Sequence, residues 1–187
     1  MTFGWPLHEA RQRVQTRILA PLLVCILAGS AGSAGSQEEV SEAVLKAAIV
    51  ANFFLFVEWP DVSGGLRLCV AGRGDTADAV LATEGRMIKD RAIETMRLAT
   101  PEDVLGRRCK ILFIPAGNER RAIEFARSAS GSAILIVAEG DVLTIGQAHI
   151  VLTLDARRPV LNINLTEARR AGLDISSRLL RLARKVT

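Results

Sequence analysis

The chain has no tyrosine and few other aromatics, with six phenylalanines and two tryptophans. Phe3 and Trp5 stand in a segment read below as a leader, so six aromatics remain beyond it. Four of those six fall in one stretch, Phe53-Phe54-Leu55-Phe56-Val57-Glu58-Trp59-Pro60. Histidine is equally scarce: beyond the leader there is only His149. No serine occupies a G-x-S-x-G elbow, and no His/Cys/Asp/Glu cluster has metal-ligand spacing. Glu58, beside Trp59, is one carboxylate and does not make an acid/base pair. Catalysis, a metal and a cofactor are therefore not expected. No apolar run approaches the roughly 18 residues of a membrane span. There is also no internal repeat, and no linker long enough to divide the chain.

What is present begins with a leader. Residues 11–17, RQRVQTR, form a positive segment, followed by an apolar run over 18–28 and then the small, polar GSAGSAGS of 29–36. This order predicts a secretory signal peptide over residues 1–36, with one domain over 37–187. Cleavage is expected after Ala31, Ala34 or Ser36. Cys25 raises a lipoprotein alternative, but Val24 precedes it where a small residue belongs. Losing Arg11, Arg13, Arg17 and Glu9 with the leader takes the formal charge from +4 to +2. The remaining basic residues are scattered in pairs among acids and apolar residues, so no nucleic-acid partner is expected.

Export changes the meaning of the cysteines. Cys69 and Cys109 are the two thiols left, and in an oxidising compartment an isolated pair is a disulfide candidate. The alternative is two separate buried thiols.

Residues 38–57 start with acids and lack glycine and proline, which predicts a helix stopped by Pro60. Apolar strands follow at 66–72, 92–99, 109–116 and 132–140, alternating with helices at 75–84, capped by Asp75, and at 118–130. Continuous apolar strands alternating with helices predict an α/β fold, a mostly parallel sheet with helices on both faces. Runs at 149–154 and 159–165, joined by Asp-Ala-Arg-Arg, predict a C-terminal antiparallel hairpin. A short helix follows, with Gly172 at its C-cap, and a terminal helix is expected over 176–186. A strand order of 2-1-3-4 would make strands 66–70 and 109–114 neighbours, bringing Cys69 and Cys109 within about 7 Å between Cα atoms.

Gly72-Arg73-Gly74-Asp75-Thr76-Ala77 spells G-x-G-x-x-A at a strand-to-helix turn. The dinucleotide fingerprint also needs an acid ending the next strand, and ETMRLAT has none there. The plainer reading is a tight turn whose glycines supply positive φ. The aromatic stretch divides too. On a helix Phe53 and Phe56 share a face and are expected in the core, while Phe54 points elsewhere. Trp59, Phe54 and Glu58 are candidates for a partner surface, since large aromatics are typical binding anchors.

The segments LKAAIVANFFLFVEWP, LRLCVAG, CKILFI and VLNINLTEARRAGLDISSRLLRLARKV together resemble the YfiR family. The likeness covers about residues 44–186. It implies a periplasmic α/β domain that acts by binding. The function it implies is restraint of the periplasmic domain of an inner-membrane diguanylate cyclase, or of a histidine-kinase sensor, within cyclic di-GMP signalling. It leaves open whether the protein is a homodimer. The family's second cysteine pair, after the fourth strand, is absent, as are the aromatics of its hairpin. A periplasmic small-ligand-binding module using the turn at Gly72–Asp75 is the alternative function.

Overall fold

A computed structural model of the chain describes residues 41–61, 64–117, 119–140 and 147–187. The leader, with Cys25 and the cleavage sites, lies outside the described residues. Ser41 opens the first helix, α1 (Glu42–Asn52), its hydroxyl accepting from the Val44 amide at 3.2 Å. The strands are β1 (Val57–Glu58), β2 (Leu66–Val70), β3 (Met87–Ile88), β4 (Arg91–Arg97), β5 (Ile111–Ile114), β6 (Leu135–Glu139), β7 (Ile150–Asp155), β8 (Arg158–Ile163), β9 (Asp174–Ile175) and β10 (Lys185–Val186). The remaining helices are α2 (Asp75–Leu81), α3 (Asp103–Gly106), α4 (Glu119–Ala129), α5 (Leu165–Arg170) and α6 (Ser177–Leu180).

Eight strands form the main sheet in the order β10-β8-β7-β6-β5-β2-β4-β3. From β4 to β7 all neighbours are parallel, and β7–β8 is the expected antiparallel hairpin. Side-chain alternation divides the core into two layers. Leu68, Val70, Phe113, Leu135 and Val137 pack under α1, α2, α5 and α6. Cys69, Leu112, Ile114 and Ile136 pack under α3 and α4, where Phe125 is fully buried. Both faces of the sheet are covered, which is why its central strands read as continuous apolar runs.

The hairpin turns through Ala156 and Arg157, both at positive φ (46° and 64°). Two left-handed central residues suit the right-handed twist of a two-residue hairpin loop. Asp75 does not cap α2. Gly74 occupies that position at φ 118°, and Asp75 becomes the first helical residue.

Two helices differ from expectation. The first ends at Asn52; Phe53–Leu55 tighten into a 3-10 turn and Val57–Glu58 leave as a strand. The terminal segment forms one helical turn, Ser177–Leu180, and then β10, which pairs in parallel with Asn162–Ile163 of β8. In both places a local helical pattern yields to strand pairing, since propensity is a weak prior against tertiary hydrogen bonds.

Candidate functional site

β1 and β9 stand outside the main sheet as a two-stranded antiparallel ribbon, Val57 opposite Ile175 and Glu58 opposite Asp174. The ribbon continues in a bond from the Ser176 amide to the Phe56 carbonyl, 2.8 Å. Val57 and Ile175 are buried, while Glu58 and Asp174 are exposed. Gly172, at φ 76°, ends the turn after α5, and a Cβ placed there would lie 3.7 Å from Pro60. The segment holding Glu58-Trp59-Pro60 is thereby joined to the one holding Gly172-Leu173-Asp174-Ile175-Ser176.

Trp59 is half-buried beside the ribbon. Its indole N–H donates to the Lys110 carbonyl, 3.1 Å away, just before β5. Its ring lies 5.7 Å from that of Phe54, tilted by 40°. This fixes a large ring against the sheet while leaving part of it exposed. Glu58 and Asp174 are direct cross-strand neighbours of like charge, an arrangement that costs stability in an antiparallel pair.

Phe53 is buried as expected, but Phe54 and Phe56 do not follow the helical face expected of them. Phe53 and Phe54 both turn inward, at 1% and 6% exposure, while Phe56 is half-buried and Leu55 is exposed. Phe54 is therefore a core residue behind Trp59 and not part of a partner surface. The cause is the 3-10 turn, whose shorter repeat changes which positions share a side.

The cysteines meet as a disulfide, Cys69–Cys109, with Cα atoms 5.8 Å apart. Both are buried in the layer beneath α4. His149 is buried just before β7. Its Nδ1 accepts from the Ile136 amide at 3.0 Å, so the neutral ring carries its proton on Nε2. Burial pushes its pKa down to about 4, and the charge of Glu167 offsets this only in part. The ring extends the β6–β7 pairing and is a structural group.

A buried polar cluster escaped the sequence reading. Glu139, at the end of β6, accepts from Lys46 Nζ at 2.8 Å and from Thr76 Oγ1 at 2.9 Å. Lys46 also meets Glu42 at 2.6 Å. Burial alone would lower the Lys46 pKa, but the two carboxylates outweigh it and hold the ammonium above its usual value. The cluster ties α1 and α2 to the sheet. Its signal in the sequence was a lone lysine in one apolar run, VLKAAIVA, and a lone acid ending another, LIVAE.

The model of the YfiR/HmsC-like family matches residues 43–184. Among solved structures, the ABC domain from Streptococcus pneumonia in complex with L-Trp aligns with a TM-score of 0.52 at 11% identity, over 78% of this chain and 60% of that one. A conserved domain protein from Vibrio cholerae aligns with a TM-score of 0.50 at 10% identity, over 80% of this chain and 61% of that one. The chain thus spans about three fifths of the length of these structures. At such identity the likeness is one of fold alone.

Proposed function

This chain belongs to the YfiR/HmsC-like family, and on that premise we propose that it is a non-catalytic regulator acting from the periplasmic side of the inner membrane. The family is known for regulating diguanylate cyclase signalling. In this reading residues 1–36 are removed on export. The domain over 37–187 then binds and restrains the periplasmic part of an inner-membrane sensor with a diguanylate cyclase or histidine-kinase output. No helix among the described residues is long and apolar enough to cross a membrane.

The observation that carries the proposal is the ribbon. Two of the segments that carry the resemblance, the one ending in Glu58-Trp59-Pro60 and the one holding Gly172 to Ser176, are hydrogen-bonded to each other, apart from the main sheet. Together they present half-buried Trp59 next to exposed Glu58, which faces exposed Asp174 across the ribbon. A rigid, partly exposed ring is suited to anchor an interface. The like-charge pair is suited to a basic residue on the partner, which would relieve the repulsion.

The test is co-purification from solubilised membranes, alongside thermal unfolding. Trp59→Ala and Asp174→Arg should lose the membrane partner while remaining folded. Phe53→Ala should unfold more readily, because its ring is fully buried. In cells, loss of the protein should raise cyclic di-GMP if the output is a cyclase. Normal co-purification by both soluble ribbon variants would refute the assignment of recognition to this surface.

A further inference from the structure

Strand order reverses between β2 and β5. The chain leaves β2 for β4 on one side and returns across it to β5 on the other. Loops leaving two such strands run to opposite faces of the sheet and open a crevice at their carboxyl ends. Here the crevice is a cleft of about 580 Å³. Buried Leu98, Ile114 and Pro115 give it an apolar lining, and exposed Arg73, Arg97 and Arg121 supply charge. No Asp or Glu is among the described residues that line it.

Two of the arginines are held in place by the backbone. Arg97 donates to the Gly72 carbonyl and to the Asp78 carboxylate, which offsets part of its charge. Arg121 donates to the Ala99 carbonyl and lies 5.6 Å over the Phe125 ring. The Arg97 guanidinium has five N–H donors, more than these contacts use. The approach of the two loops is set by Gly72. Its φ is +151°, and a Cβ there would stand 2.5 Å from the Pro115 ring.

We propose that this cleft binds a small organic anion: a phosphate or carboxylate headgroup, held by Arg73 and Arg97, on an apolar body seated against Leu98, Ile114 and Pro115. Arginine suits both headgroups, because its fork matches the geometry of their paired oxygens. An inorganic ion alone would leave the apolar lining uncovered. The site is separate from the recognition surface. Trp59 is bonded at the amino end of β5, through Lys110, whereas the cleft lies beyond the carboxyl end, at Ile114 and Pro115. The inference therefore goes beyond the regulatory reading, and binding to the purified protein tests it without any membrane partner.

The probes are phenyl phosphate and benzoate, titrated into the protein by calorimetry, with phenyltrimethylammonium as the cationic control. Arg73→Glu and Ala99→Glu place a carboxylate at exposed positions of the lining, and both should leave the thermal midpoint unchanged. At least one anion is expected to bind saturably and the cation not at all. Each variant should weaken that binding by about tenfold or more, the scale of one charge-assisted hydrogen bond. Absence of saturable binding by either anion up to about 10 mM, well above an ordinary weak Kd, would overturn the proposal. So would equal binding by the cation, or undiminished binding in both folded variants.

Discussion

Mild acid should weaken this protein through His149. The imidazole is folded in with its pKa lowered to about 4, from an ordinary value of 6.5. Because the folded-state value is depressed, the unfolded chain takes up a proton that the folded chain refuses. The stability held above the unfolded value is therefore lost as pH falls from about 6.5 towards 4. A shift of this size corresponds to about 3 kcal/mol in full, and to about 2 kcal/mol by about pH 5. Glu84 and Glu102, whose pKa values are lowered by hydrogen bonds with Thr95 and Thr100, add their own loss of stability at lower pH. The assay is thus a difference. Urea unfolding would be followed from about pH 7.5 to about pH 5 for the parent and for His149→Asn, whose amide oxygen can accept from Ile136 but does not titrate there. The parent should lose about 2 kcal/mol more than the variant over that interval. A difference that stays flat would refute the reasoning, as would an imidazole titrating near 6.5 by NMR in the folded protein.

Removing the disulfide as a Cys69→Ser/Cys109→Ser pair should cost about 4 kcal/mol in the chain-entropy model, given a sequence separation of 40, and should lower the thermal midpoint by about 10 °C. Glu139→Ala strands a buried lysine that keeps only Glu42, and should destabilise by about 2–4 kcal/mol in denaturant melts. Pairing Glu139→Leu with Lys46→Met should cost less than the sum of the single changes. Phe53→Ala should cost about 3–5 kcal/mol, whereas Leu55→Glu, at an exposed position, should change stability by no more than about 0.5 kcal/mol. Mass spectrometry of exported protein should find a new N-terminus between Gly32 and Gln37, and recovery of the Met1 species would contradict the leader assignment.

The central sheet was legible because burial on both faces leaves its middle strands few polar positions. LRLCV, ILFI and LIVAE announce themselves without periodicity, and the neighbour relation of β2 and β5 follows from the alternation of strands and helices. The ribbon was not legible. Each of its strands has two residues, too few for a pattern, and each is specified by a partner far away in sequence. Reading Phe53 to Trp59 as helix was reasonable locally. It put Phe54 on the surface because nothing nearby reveals that Val57 will pair with Ile175. β10 was hidden in the same way: SSRLLRLARKV has a helix start in Ser176, and only the open edge of β8 explains why the chain leaves the helix after Leu180. The placement of Trp59 does not depend on the helix read over Phe53 to Trp59, since the Lys110 carbonyl holds its indole N–H.

The disulfide also sets an order of events in time. Its sulfurs lie in the core, with Cys69 fully covered and Cys109 at 3% exposure. Thiol–disulfide exchange requires an attacking sulfur to reach the bond. Oxidation must therefore come before α4 closes over β2 and β5, while the chain is still open to an oxidant. Once that layer is shut, an external reductant can reach the bond only when the sheet opens. The rate at which dithiothreitol reduces the native protein would then report how often this half of the molecule breathes.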